Sequence, residues 1–165
     1  GDRSKELYIE TDMSNMGKSK HKLLQAMISI NDMFMLAGPT VSSLFKEDVK
    51  RYFKRNAIPF NYDMKVMGKS FFEHNIEITL PMVKNKPETF IKVINNPIKN
   101  YAEHTIFILN DIREIRREVK TAVIYNDSEK VGKGFVEALV AYKIQTIAWS
   151  KREDFTKKYL KEINE

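Results

Sequence analysis

Cysteine is absent from the 165 residues. That excludes disulfides, thiol nucleophiles and cysteine-bound metals, and it fits a cytoplasmic address. Long apolar runs are missing as well. Every hydrophobic stretch is short and interrupted by charge, so none can span a bilayer. The first residues hold Asp2, Arg3, Lys5 and Glu6, where a secretory leader would need an apolar core. There is no internal repeat and no low-complexity segment. The three histidines, His21, His74 and His104, include no pair at the i, i+4 spacing of a helical metal site, so no metal ligand set is expected.

What remains is a chain with 42% hydrophobic residues spread throughout, enough for one domain with a real core. The net charge is +6, divided as +3 on residues 1–74 and +3 on residues 75–165, so there is no basic tail. A modest positive balance raises the prospect of a nucleic-acid or other anionic partner.

Apolar periodicity organises the chain. Leu7 to Glu10 reads as extended. Leu23, Met27, Ile30 and Phe34 recur at helical spacing over 19–37, widened by Leu24, Ile28, Met33 and Met35 into a face expected to be buried. Gly38-Pro39 should end that helix. A second helix is expected over 43–56, with Phe45, Val49, Tyr52 and Phe53 inward. Tyr62–Met67 and Phe71-Phe72 read as extended, with Gly68 turning between them. Ile76–Met82 and Thr89–Asn95 alternate as strands, separated by the turn-like Lys84-Asn85-Lys86-Pro87. Asn95-Asn96-Pro97 should terminate the second of these.

The remaining elements alternate in type. A helix is expected over 101–118, opened by an Asn100/Glu103 capping box and buried through Thr105, Ile108, Leu109, Ile112, Ile115 and Val119. A strand over 121–125, a helix over 135–142 and a strand over 144–149 follow. Ser150 and Glu153 form a second capping box before a last helix carrying Phe155, Tyr159 and Leu160. Strands that alternate with helices imply parallel crossovers on one sheet. The expected fold is therefore α/β, a mixed central sheet flanked by helices within a single domain of residues 1–165, divided into an N-terminal strand and helix (1–38) and a core (39–165).

Chemistry-bearing patterns are sparse. Met-Gly-Lys-Ser occurs at 16–19 and again at 67–70, but a phosphate loop needs a glycine where Asp12 and Asp63 stand. Gly132-Lys133-Gly134 reads as a loose first turn before a helix. No nucleophile-elbow pattern supports a Ser–His–Asp triad, although such a triad stays open. Trp149 and Tyr142 read as core or rim packing.

The strand pair carries the sharpest chemical idea. Nucleases of the restriction type set one acid on a central strand and a carboxylate-x-lysine unit on the next. The acids hold a divalent ion, and the lysine orients the attacking water. The order helix, three strands, helix, strand resembles the core of that superfamily. Glu77 stands at the first acid, Lys92 at the lysine, and Glu88 shares the Lys92 face by alternation. Phe90 occupies the position where the second acid belongs, which weakens any magnesium site. For nucleic-acid contact the candidates are Lys46, Lys50, Arg51, Lys54 and Arg55 on the second helix, with Lys92 added. A solvated face partly neutralised by Glu47 and Asp48 is the competing reading.

Several pieces, in order, carry a family resemblance: Thr79-Leu80-Pro81, Lys86-Pro87-Glu88, Ile91-Lys92-Val93-Ile94-Asn95-Asn96-Pro97, Asn110-Asp111 with Arg113, Tyr125-Asn126-Asp127, and Ile147–Glu153. The run from Asn75 to about Leu160 resembles a bacterial and phage family, domain of unknown function 1829. Residues 1–74 look like the end of the region that commonly precedes it, domain of unknown function 1828, which implies a further N-terminal domain in a fuller protein. The resemblance implies a bacterial or mobile-element setting and supplies no catalytic residues. The leading functional expectation is a non-catalytic, nuclease-like domain binding nucleic acid or a nucleic-acid-handling protein, without cofactor or membrane. The alternatives are a magnesium-dependent nuclease using Glu77, Glu88 and Lys92, and a protein-interaction or oligomerisation module.

Overall fold

A computed structural model describes residues 7–83, 86–128 and 130–164, with side chains left undescribed at 34–41 and at Asn164. The expected turn at Lys84-Asn85 and the residues before Leu7 lie outside that set. The chain divides into two compact units, with the boundary between Val41 and Ser42.

In the first unit Leu7 to Glu10 forms no strand. Asp12 opens the helix that follows: its carboxylate accepts from the Asn15 amide (2.9 Å) and the Ser14 hydroxyl (2.7 Å). These bonds hold the Asp12 carboxyl below its ordinary value, the Ser14 hydroxyl contributing most. Helix α1 then runs as one element, Met16–Arg55, where two helices separated by Gly38-Pro39 were expected. The proline removes a backbone donor without ending the helix. The burial expected for the stripe is corrected over 24–33, while Phe34 and Met35 lie outside the described side chains. Leu24, Met27, Ile28, Ile30 and Met33 are exposed, because no described residue covers that stripe.

The second unit is a five-stranded open sheet in the order β1-β2-β3-β4-β5. Its strands are β1 (Asn61–Met67), β2 (Glu73–Leu80), β3 (Thr89–Ile94), β4 (Lys120–Tyr125) and β5 (Gln145–Ala148). Helix α2 (Lys99–Arg113) links β3 to β4, and α3 (Phe135–Ala141) links β4 to β5. A 3₁₀ turn at Trp149–Lys151 leads into α4 (Arg152–Asn164). β1, β2 and β3 pair antiparallel, whereas β3, β4 and β5 pair parallel. This is the mixed sheet and the helix–strand order anticipated from the alternating patterns.

Two apolar layers enclose the sheet. Phe45, Val49 and Phe53 of α1 and Tyr159 of α4 pack with Ile78, Leu80, Ile91, Val93, Ile124 and Ile147. On the other face Ala102, Ile108, Leu109 and Ile112 of α2 and Phe135 and Leu139 of α3 pack with Val66, Ile76, Phe90, Ile94 and Val123. Trp149 meets Phe45 and Tyr52 edge-on, as a rim residue.

Local signals erred where tertiary contacts offered a better partner. α2 starts at Lys99, with Ile98 at its cap and no side-chain cap bond, so Asn100 falls inside the first turn. The helix ends at Arg113, which leaves Ile115 exposed. Ser150 caps nothing, because its amide and hydroxyl both donate to Asp127 (2.9 and 2.5 Å). Phe71-Phe72 belongs to the turn between β1 and β2 and not to a strand. Gly132 is small for a packing reason: an added Cβ would lie 3.0 Å from the Pro97 carbonyl oxygen, which already accepts from the Gly132 amide (2.8 Å).

Candidate functional site

β2 and β3 pair only where Ile78–Leu80 meets Thr89–Ile91, and beyond that point they separate. Ile76 packs into the α2 side while Ile78, two residues later, packs into the α1 side. A regular strand would put both on one face, so the strand is irregular at Glu77. Opposite Glu77 on β1, Asp63 has a φ of 52°, in the left-handed region. Glu77 and Lys92 stand at the mouth of this fork.

The structure brings the two together. Lys92 Nζ donates to Glu77 Oε1 (3.0 Å) and to the Asn75 carbonyl (2.8 Å). Lys46 Nζ reaches the same Oε1 from α1 (3.1 Å), and the Val93 amide donates to Oε2 (3.4 Å). Glu77 is buried, so its carboxylate is satisfied on both oxygens by two ammonium groups and one backbone amide. The fork leaves backbone groups of β2 and β3 without strand partners, and Glu77 and Lys92 bond across that gap.

Glu88 does not join them. It precedes β3, its carboxylate meets Arg116 (3.3 Å), and its carbonyl accepts from the Lys120 amide. Four residues of extended chain separate it from Lys92, roughly 13 Å. Among the described residues no group of three or more His, Asp or Glu side chains is placed to hold a metal ion.

The basic helix face is largely paired. Lys46 belongs to the Glu77 cluster. Lys50 bonds Glu47 (2.8 Å) and Asp63 (3.4 Å), lies 4.3 Å from the Tyr62 ring centroid, and is held above its ordinary pKa chiefly by the Glu47 bond. Arg51 meets Asp48 at 3.4 Å. Lys54 and Arg55 are exposed, with no ion partner among the described residues. Lys92 is half-buried in its pairing and is not a free cation.

A second polar cluster escaped the reading of the sequence. Asp111, on α2, accepts from the Ser70 amide (2.8 Å), the Ser70 hydroxyl (2.6 Å) and His74 Nε2 (2.7 Å). Its backbone carbonyl takes the Lys69 amide (3.1 Å). The Ser70 hydroxyl and then His74 hold the Asp111 carboxyl below its ordinary value. A serine, a histidine and an aspartate do meet here, but the aspartate lies between the other two. The hydroxyl donates to the carboxylate and not to the imidazole, so the serine–histidine contact of a triad is not formed. Gly68 lies directly beneath, where an added Cβ would come within 1.8 Å of Asp111 Oδ2. The second Met-Gly-Lys-Ser is therefore a hairpin clamp. The sequence signals for it were His74, two residues before the predicted strand, and Asp111 in the family-like Asn110-Asp111 piece.

The clamp fixes a tip that carries Phe71, 87% exposed with a φ of 63°, and Phe72, 62% exposed. At the carboxyl ends of the parallel strands a third cluster forms. Asn126 donates to Asn95 (2.9 Å), and Asp127 takes both Ser150 donors, so the family-like pieces after β3, β4 and β5 converge in space. Burial raises the Asp127 carboxyl, and the Ser150 bonds outweigh that and leave it lowered.

A crystal structure of a protein of unknown function, AF1548, is similar with a TM-score of 0.50 and 15% identity, over 64% of this chain and 56% of that one. The chain thus spans just over half the length of that protein, and the likeness is one of fold. No curated protein matches. The family model for the domain of unknown function DUF1829 matches residues 68–152, just over half of the chain; nothing in that match extends to the 1828-type region expected before it. The fork, the hairpin clamp and the Asn126–Ser150 cluster all lie largely within the matched span, and the chain belongs to the DUF1829 family.

Proposed function

We propose that this chain is a non-catalytic, nuclease-like α/β domain that binds nucleic acid, in the cytoplasm of a bacterial or phage-bearing cell. The observation that carries the reading is the closed state of Glu77. A metal-dependent nuclease needs at least two carboxylates free to share a divalent ion beside its lysine. Here Lys46 and Lys92 already supply the positive charge that an ion would bring, and the second carboxylate, Glu88, belongs to Arg116. On this reading an internal salt cluster stands at the strand fork where a nuclease would keep its reactive centre.

The binding role is supported by the +6 net charge and by Lys54 and Arg55, the two residues of the basic helix face that remain exposed without an ion partner among those described. Such cations position a phosphate backbone without reading its sequence. Fluorescence anisotropy with duplex and single-stranded DNA across a salt series tests this. Affinity should fall as salt rises, and replacing Lys54 and Arg55 by glutamine should flatten the slope by roughly 0.9 for each phosphate those side chains neutralise. Absent binding, or binding indifferent to salt, would overturn the proposal. Cleavage with Mg²⁺ or Mn²⁺ that Glu77→Ala abolishes would establish the nuclease alternative instead.

The hairpin tip favours a second reading, a protein-interaction module. A bulky residue held at positive φ is a strained conformation, and here it displays an aromatic ring to solvent from a clamped loop. Aromatic anchors on rigid supports dominate protein interfaces. Copurification that Phe71→Ala and Phe72→Ala abolish would support it, and light scattering would reveal self-association.

A further inference from the structure

A cleft of about 130 Å³ opens at the amino-terminal ends of the parallel strands, beneath α4. Thr89, Lys120 and Gln145, the first residues of β3, β4 and β5, form one wall. Leu80, Pro87, Phe155 and the ring of Tyr159 give it an apolar floor. It lies at the opposite end of the strands from Asn126 and Ser150, and none of its lining belongs to the Glu77 or Asp111 clusters.

Its charge is one-sided. Lys86, Lys120 and Lys158 line the cleft with a single carboxylate, Glu162. Lys86 forms an ion pair with Glu162. That bond first, and then the charges of Lys86, Lys158 and Lys120, lower the Glu162 carboxyl, and all three lysines line the one cleft. Three cations against one anion leave a local excess of two positive charges. Lys120 and Lys158 are exposed, and no hydrogen bond or close ion pair ties up either ammonium group among the described residues. An apolar floor with a few charged groups at one side is the usual make-up of a small-ligand site. The size also discriminates, since a cavity of about 150 Å³ accepts one benzene ring.

We infer that this cleft binds a small organic anion, with a single ring on the Leu80–Phe155–Tyr159 floor and a carboxylate or phosphate at Lys120 and Lys158. The inference is independent of nucleic-acid binding, and either can fail alone. For a ligand of this size millimolar affinity is the natural scale.

The test is an NMR amide titration of the whole chain with four probes: benzoate, phenyl phosphate, inorganic phosphate and neutral benzamide. Benzoate or phenyl phosphate should shift the amides of Lys120, Gln145 and Tyr159, and benzamide should not. Binding of benzoate alone assigns a carboxylate ligand, and binding of phenyl phosphate alone assigns a phosphate monoester. Lys120→Gln and Lys158→Gln, both at exposed positions, should each weaken binding roughly tenfold, the scale of one charge-assisted hydrogen bond. The inference is overturned if neither ring-bearing anion binds, if benzamide binds as well as benzoate, if inorganic phosphate matches phenyl phosphate, or if both lysine variants bind like the native chain.

Discussion

Replacing Glu77 by glutamine is the most informative single perturbation. The substitution preserves volume and leaves an oxygen for the Val93 amide, so only the charge is lost. Lys92, whose side chain is 13% exposed, then keeps the Asn75 carbonyl but has no counter-ion. Losing a charged hydrogen bond in such a place costs about 1.5–3 kcal/mol. Lys46 is a third exposed and can turn to water, so its share is a surface pair, about 0–1 kcal/mol. Together these give about 2–4 kcal/mol, or roughly 5–15 °C in melting temperature for a chain of this length. Glu88→Gln is the matched control. It removes only the half-exposed pair with Arg116, which is worth about 0–1 kcal/mol. Urea unfolding followed by Trp149 fluorescence and by circular dichroism measures both, and coincident curves establish that one ΔG applies. Equal stability of the two variants would refute the closed-cluster reasoning. So would a native midpoint raised by Mg²⁺ and unresponsive in Glu77→Gln, since only a bound ion stabilises in that way.

Three further outcomes follow from the hairpin. Gly68→Ala puts a Cβ against the Asp111 carboxylate and should cost about 1–3 kcal/mol, whereas Lys69→Ala, which removes only an exposed pair with Glu114, should stay within about 1 kcal/mol by urea titration. The Asp111 carboxyl is lowered in the fold, so its stabilisation is complete above the ordinary aspartate value of about 3.9 and fades as pH falls from there through the lowered folded value. Asp111→Asn should therefore flatten that part of the acid limb, and an unchanged pH profile of melting would count against the clamp. Phe71→Gly removes an exposed ring and the strain of φ 63°, worth about 1 kcal/mol, against the greater freedom of glycine in the unfolded chain. Stability should hold within about 0.5 kcal/mol; a larger loss would mean that the ring packs somewhere.

The sequence by itself determined the sheet and its helices, because alternation and helical spacing are local consequences of burying one face of each element. Ile108, Leu109 and Ile112 read as the buried side of a helix and are buried. Glu77, Glu88 and Lys92 were grouped as one candidate site, and the structure joins only Glu77 and Lys92, by side chains reaching across a fork that strand pattern does not reveal. What only the tertiary structure decided were choices among competing partners. Ser150 was free to cap its own helix, yet Asp127, distant in sequence, took both its donors. Lys46 had the pattern of a solvated face and turned instead to a buried carboxylate that needed a second cation. Asp111 joins Ser70 and His74 across 41 and 37 positions, a separation that no periodicity spans. Local pattern therefore specified which surfaces were buried, and long-range pairing specified which polar groups remain open to a ligand.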